Sequence, residues 1–192
     1  MQIPSMGGTS LGPMLQKWAL DAETIVELGT WLGAGTKQLA STCPGIVHTY
    51  DIFKIHGNEI DKAAAYGVTV TEGQDSLPLV KKMLSEFKNI RYYKGRICDH
   101  EWLGIPIDLY VDDACKYEPE FIGAIKKFSP YWIAGKTICV FMDYWWYLSR
   151  PNDERAKFQK NYISNKPESF EHIISDKHLG CAAFLYKGGL CV

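Results

Sequence analysis

The sequence predicts an α/β protein with one seven-stranded mixed sheet, mostly parallel with an antiparallel last strand, and helices on both faces. Three observations predict it. Short apolar runs alternate with helix-like stretches from Thr24 to Asn165, the pattern of parallel strands joined by crossover helices. The first of these runs, Ile25-Val26-Glu27-Leu28, opens into Gly29, Gly33 and Gly35 before Thr36-Lys37-Gln38-Leu39-Ala40. The last two runs lie too close together for a crossover, which takes about a dozen residues or more, so they pair antiparallel.

Taken in order, residues 3–13 are rich in Gly, Ser and Pro and read as an irregular entry. Leu11 to Leu20 is a short amphipathic helix, with Leu11, Met14, Leu15 and Trp18 on one face. Strand one is Thr24–Leu28, followed by the glycine turn and a helix to Ser41. Strand two is Ile46–Tyr50, and Glu59–Tyr66 reads as helical in an otherwise featureless stretch. Leu77–Phe87 is a helix, and strand three, Ile90–Tyr93, leads through Lys94-Gly95-Arg96 to Ile97-Cys98-Asp99. Strand four, Ile107–Val111, ends in Asp112-Asp113. A helix over Pro119–Phe128 precedes strand five, Lys136–Phe141, which ends at Met142-Asp143. A charged helix covers Asn152–Asn165, and Phe170–Ile174 and Ala182–Tyr186 close the sheet.

The 192 residues suit a single domain over 1–192, with 1–21 as an N-terminal flap and helix. A formal charge of -1 with acids and bases interspersed argues against a nucleic-acid partner, which needs clustered Lys and Arg. The basic residues between Lys81 and Arg96 read as a solvated helix face. Six cysteines are scattered without a Cys-x-x-Cys pair, which favours reduced thiols in a cytoplasmic protein over a disulfide framework. No stretch approaches the roughly 20 apolar residues of a membrane span, and the N-terminus does not read as a signal peptide.

Glycines at a strand-to-helix turn let a bulky ligand lie against the backbone, and the helix start behind them offers free N–H groups. Asp51, ending the second strand, is placed to accept the hydroxyls of a ribose. A nucleoside-containing cofactor is the reading these residues support.

The motifs carry a resemblance. Glu27-Leu28-Gly29-Thr30-Trp31-Leu32-Gly33-Ala34-Gly35-Thr36 resembles the first motif of class I S-adenosylmethionine-dependent methyltransferases, in particular the small-molecule (sugar or secondary-metabolite) O-methyltransferase branch. Ile107-Asp108-Leu109-Tyr110-Val111-Asp112-Asp113-Ala114 and Phe141-Met142-Asp143-Tyr144 are similar to two further motifs of that branch, in the same order. The resemblance implies a Rossmann-like fold, S-adenosylmethionine as cofactor and a small-molecule acceptor. It implies that Gly29, Gly33 and the adjoining Thr30, Trp31 and Thr36 lie under the methionine moiety. Glu27 would hold its ammonium through water, Asp51 the ribose, Ile97 and Asp99 the adenine. Asp113 and Asp143 would face the methyl group, and Met6-Gly7-Gly8-Thr9 resembles a flap over the cofactor.

Methyl transfer to oxygen requires alignment and loss of a proton. Two routes stay open: a divalent ion, magnesium by its taste for hard oxygen ligands, held by Asp113 and Asp143, or a general base. The chain departs from the resembled pattern at Ala114-Cys115-Lys116-Tyr117, where relatives place a histidine. Lys116 could serve as a base only with a strongly depressed pKa. Asp112 is a poor third metal ligand, because strand alternation points it away. The five histidines lack metal-ligand spacing, and His100 is either a base near the adenine loop or a surface residue. Tyr144 to Tyr147 wall an acceptor pocket, fill the core or make a dimer contact. A homodimer would be one way to complete the pocket. Two other readings remain, a non-catalytic cofactor-binding module and a nicotinamide-dependent oxidoreductase; the latter wants Gly-x-Gly-x-x-Gly, against Gly-x-x-x-Gly-x-Gly here.

Overall fold

The computed structural model describes residues 12–178 and 180–190. The proposed flap at residues 6–9, Leu11 at the start of the first helix, and Cys191 lie outside them. Among the described residues the chain runs α1 (Gly12–Ala19), β1 (Thr24–Leu28), α2 (Ala34–Thr42), β2 (Ile46–Asp51), α3 (Gly57–Ala64), α4 (Leu77–Met83) and β3 (Ile90–Lys94). It continues through β4 (Leu109–Asp112), α5 (Glu118–Phe128), β5 (Ile138–Phe141), α6 (Phe158–Ser164), β6 (Phe170–Asp176) and β7 (Cys181–Tyr186).

The seven strands form one sheet in the order β3-β2-β1-β4-β5-β7-β6. β1 to β5 are parallel, and β7 runs antiparallel to both β5 and β6. The closing hairpin is the expected one, with β7 inserted between β5 and the edge. The reason is apolar content: Cys181-Ala182-Ala183-Phe184 is buried throughout, whereas five consecutive residues of β6 from Glu171 to Ser175 are exposed. Only the former tolerates a neighbour on each side and cover on both faces.

Alternation along the strands builds two apolar layers. Ile25, Val47, Leu109, Val111 and Val140 pack with Leu15, Leu39, Val80 and Leu84 on one face. Val26, Leu28, Tyr50, Tyr110 and Phe141 pack with Phe121, Phe128, Phe170 and Phe184 on the other. Asp108 pins the start of the central pair, its Oδ2 accepting from the backbone N–H groups of Glu23 (2.9 Å) and Thr24 (3.0 Å).

Several expected boundaries move. The helix from Leu77 ends at Met83 rather than Phe87, because Leu84 leaves the helical region at φ -104°, ψ 18°. Ile97–Asp99 forms a 3-10 turn. The charged helix splits into a 3-10 turn at Glu154–Lys157, capped by Asp153 accepting from Arg155 N, and α6. The helix expected over Glu59–Tyr66 starts at Gly57, where His56 N donates to the Glu59 carboxylate at 2.7 Å. No helix among the described residues is long and apolar enough to cross a membrane.

Candidate active site

The sheet reverses direction of travel between β1 and β4, and crevices form at the carboxyl ends of strands at such a point. The register aligns the strand ends: Leu28 pairs with Tyr50 and with Asp112, and Asp112 pairs with Phe141. Gly29, Asp51, Asp113 and Asp143 therefore leave the sheet along one edge. A cleft of about 700 Å³ opens there, lined by Gly29, Trp31, Asp51, Ile52, Ile97, Asp113 and Lys116 among others.

Gly29 has φ +94°, and a Cβ on it would lie 3.0 Å from the Asp113 carbonyl oxygen, so only glycine leaves this floor open. The next loop residues are fastened from beneath by Asp51. Its Oδ2 accepts from Thr30 N (2.9 Å) and Trp31 N (2.8 Å), and its Oδ1 accepts from Phe53 N (2.6 Å). Trp31 is thereby held at φ 46°, a conformation unusual for a bulky residue and informative at a binding loop.

The structure divides the expected cofactor residues into two groups. Gly29, Trp31, Asp51, Ile97 and Asp113 line the cleft. Glu27, Thr30, Gly33, Thr36 and Asp99 are not among its lining residues. Glu27 is buried and takes hydrogen bonds from Thr36 Oγ1 (2.6 Å) and Thr49 Oγ1 (2.6 Å), tying β1 to α2 and β2. Thr30 is buried with its hydroxyl against Thr49, and Gly33 lies against Leu84 and Val80. Asp99 turns its carboxylate to Arg96 N at 2.9 Å.

Burial raises the Glu27 pKa from 4.5 to about 7, against the pull of the Thr36 and Thr49 hydroxyls. The folded state then binds this proton more tightly than the unfolded chain, so the associated stability is full below pH 4.5 and is lost as pH rises to about 7. Glu27→Gln keeps an acceptor for both threonines. It is expected to remove on the order of 3 kcal/mol of that decline, as judged from urea midpoints between pH 4.5 and 8. An identical decline in the variant would show that Glu27 does not cause it.

Asp112 is buried and accepts from Ala114 N (3.1 Å) and Cys115 N (2.9 Å), so it shapes the turn after β4, and it is not among the residues that line the cleft. Asp113 is open to the cleft. The protein packed around Asp113 and the nearby Asp143 carboxylate raise its pKa, against Lys116; water in the cleft tempers the rise. Asp143 is 9% exposed and not a lining residue. Lys116 stands in front of it, with Nζ 2.7 Å from Asp143 Oδ2 and 5.3 Å from the centre of the Trp146 ring.

This contact bears on two expectations. Burial pulls the Lys116 pKa down, but Asp143, Asp113 and Asp112 outweigh it and hold it above the ordinary lysine value, so the depressed pKa that a base role for Lys116 requires is not met. Nor do Asp113 and Asp143 fit magnesium: an ammonium already occupies the Asp143 carboxylate. Among the described residues no group of three or more His, Cys, Asp or Glu is placed to hold a metal ion.

Sequence reasoning passed over other lining residues. Ile52 is 46% exposed in the cleft, and its signal was an apolar residue directly after a strand-ending acid. Lys127, from α5, donates to the carbonyls of Ile97 (2.6 Å) and His100 and so fixes the 3-10 turn; nothing local in the sequence links them. His100 is outside the lining set and contacts the Lys94 carbonyl through Nε2 at 3.1 Å. Of the aromatic run, Tyr144 is core, packed on Trp145 and Phe184, whereas Trp146 meets Tyr117 and Lys116.

Among the described residues, two buried donors on lining residues, Trp31 Nε1 and the Tyr50 hydroxyl, find no hydrogen-bond partner. Such groups are normally satisfied, and a ligand rich in acceptors would satisfy them. With the open glycine floor, the exposed Ile52 and the half-buried Ile97, the residues present fit an adenosyl cofactor.

No protein-family model matches the chain, and neither does any curated protein. Solved structures do match. The O-methyltransferase TomG from Streptomyces achromogenes, in complex with SAM, is 16% identical over 94% of this chain and 81% of its own, with a TM-score of 0.62. Cofactor-bound Rv0187 from MTB is 17% identical over 98% and 85%, with a TM-score of 0.68. The N-methyltransferase NodS from Bradyrhizobium japonicum WM9 is 14% identical over 93% and 96%, with a TM-score of 0.60. Strand order, the antiparallel β7 and these likenesses agree: the chain has the fold of the class I S-adenosylmethionine-dependent methyltransferases.

Proposed function

We propose that the chain is a methyltransferase that binds S-adenosylmethionine in this cleft and passes its methyl group to a hydroxyl of a small molecule. The observation that carries the reading is the cleft itself. A glycine floor, a strand-ending carboxylate one strand away and two apolar walls meet where β1 and β4 diverge.

Within it, Gly29 and Trp31 would bear the methionyl part, and Ile52 and Ile97 would flank the adenine. Asp51 would accept a ribose hydroxyl on the lone pair its Oδ1 has left after Phe53 N. Asp113, open to the cleft with a raised pKa, is the group suited to accept the proton of the acceptor hydroxyl. The acceptor oxygen then forms the new C–O bond as the C–S bond breaks, and sulfur keeps the electron pair as a neutral thioether.

Thermal unfolding with S-adenosylhomocysteine or NAD+ tests the reading, because a ligand at 100 times its Kd stabilises by about 2.7 kcal/mol. Stabilisation by the homocysteine compound and none by NAD+ is expected. The reverse pattern would replace the reading with an oxidoreductase. Labelled methyl transfer to a panel of hydroxylated acceptors then separates an enzyme from a binding module.

A further inference from the structure

Lys116 is singled out by three features. Its ammonium is held at 2.7 Å by Asp143, a residue the cleft does not reach directly. It faces the cleft beside Asp113 and lies 5.3 Å from the Trp146 ring centre. Asp143 is the only hydrogen-bond acceptor it meets among the described residues, so two of its three N–H donors are left for a ligand. A cation so placed, against the Asp143 carboxylate and a ring face and within the field of Asp113, stands where a divalent ion held by the two carboxylates would have to sit.

We propose that the Lys116 ammonium takes the place of a divalent metal ion, contacting the acceptor oxygen and keeping metals out of the Asp113–Asp143 pair, so that the transferase works without one. This rests on the methyltransferase reading above. Lys116 offers the acceptor oxygen one positive charge and directional hydrogen bonds, and the negative charge that develops on deprotonation meets a donor already fixed in place. Asp143 is the positioning residue: it holds the ammonium from behind, and Trp146 steadies the stem and head by a cation–π contact. A metal could bind only by displacing an ammonium from a carboxylate it already neutralises.

Manganese alone is the probe, followed by the loss of its free electron-spin-resonance signal, with calorimetric titration of S-adenosylhomocysteine on each protein. Wild type and Lys116→Arg are expected to leave manganese free. Lys116→Ala and Lys116→Met expose two unbalanced carboxylates, and their manganese affinity is expected to rise at least tenfold and to fall again when Asp143→Asn is added. Wild-type binding of manganese that Asp143→Asn abolishes would overturn the proposal, as would Lys116→Ala and Lys116→Met variants that bind no better than wild type. Failure of wild type to bind S-adenosylhomocysteine would count against the methyltransferase reading alone, because the manganese result is read without cofactor.

Discussion

Gly45→Ala is expected to lower the stability of the fold by about 3 kcal/mol, at the upper end of the usual penalty for overpacking. A Cβ on Gly45 would fall 1.8 Å from the carbonyl oxygen of Glu23 and 2.4 Å from its carbon. Both are backbone atoms, so no side chain can swing aside. That same oxygen accepts from Ile46 N at 2.8 Å, beside the Thr24–Ile46 pair that starts the β1–β2 ladder. Separating the two strands enough to admit a methyl group breaks this rung and tilts the edge that carries Gly29 and Asp51. Gly123→Ala is the control. It lies inside α5 with nothing within 4 Å of the added methyl, so it is expected to stabilise by about 0.5–1 kcal/mol. Urea unfolding reads both, and a Gly45→Ala midpoint equal to that of wild type would contradict the contact.

Asp51→Ala is expected to damage binding and stability together. Three backbone N–H groups, those of Thr30, Trp31 and Phe53, converge on its carboxylate, and two of these residues, Trp31 and Phe53, are non-glycines at positive φ. Leaving a buried donor unpaired costs about 1–3 kcal/mol. These donors are only part-buried beside a wet cleft, so a total loss of about 2–3 kcal/mol is the realistic scale. Affinity for S-adenosylhomocysteine should fall at least tenfold, because the glycine floor loses its anchor along with the ribose acceptor. Asp51→Asn keeps one acceptor oxygen and should fall between wild type and alanine on both measures. Calorimetry and urea midpoints on the three proteins decide it. Full affinity in Asp51→Ala would remove the residue from the site.

Much of the fold was legible because its signals are local. Apolar runs of strand length, glycines at the β1–α2 turn and acids at strand ends are each visible within a few residues. Boundaries were less so. The helix after Leu77 stops at Met83 because Leu84 turns into the core, where it is fully buried against Gly33. The stretch after Asn152 breaks because Asp153 caps a separate turn. Both depend on what the segment meets in space, which helical periodicity does not record.

The site shows the same division more sharply. Residue types and spacing by themselves determined that Gly29, Asp51, Asp113 and Asp143 would gather at one sheet edge, because parallel strands in register deliver their ends to one place. They also set Asp112 apart from Asp113, through the alternation of a strand. Only the tertiary structure decided what each side chain does on arrival. Glu27 and Thr36 satisfy each other in the interior, since a buried carboxyl must find donors. Lys116 closes on Asp143 across 27 residues of sequence, and that contact turns an expected metal pair into an ion pair. Charge pairing of this kind is set by distances between separate elements, and no local pattern in the chain encodes it.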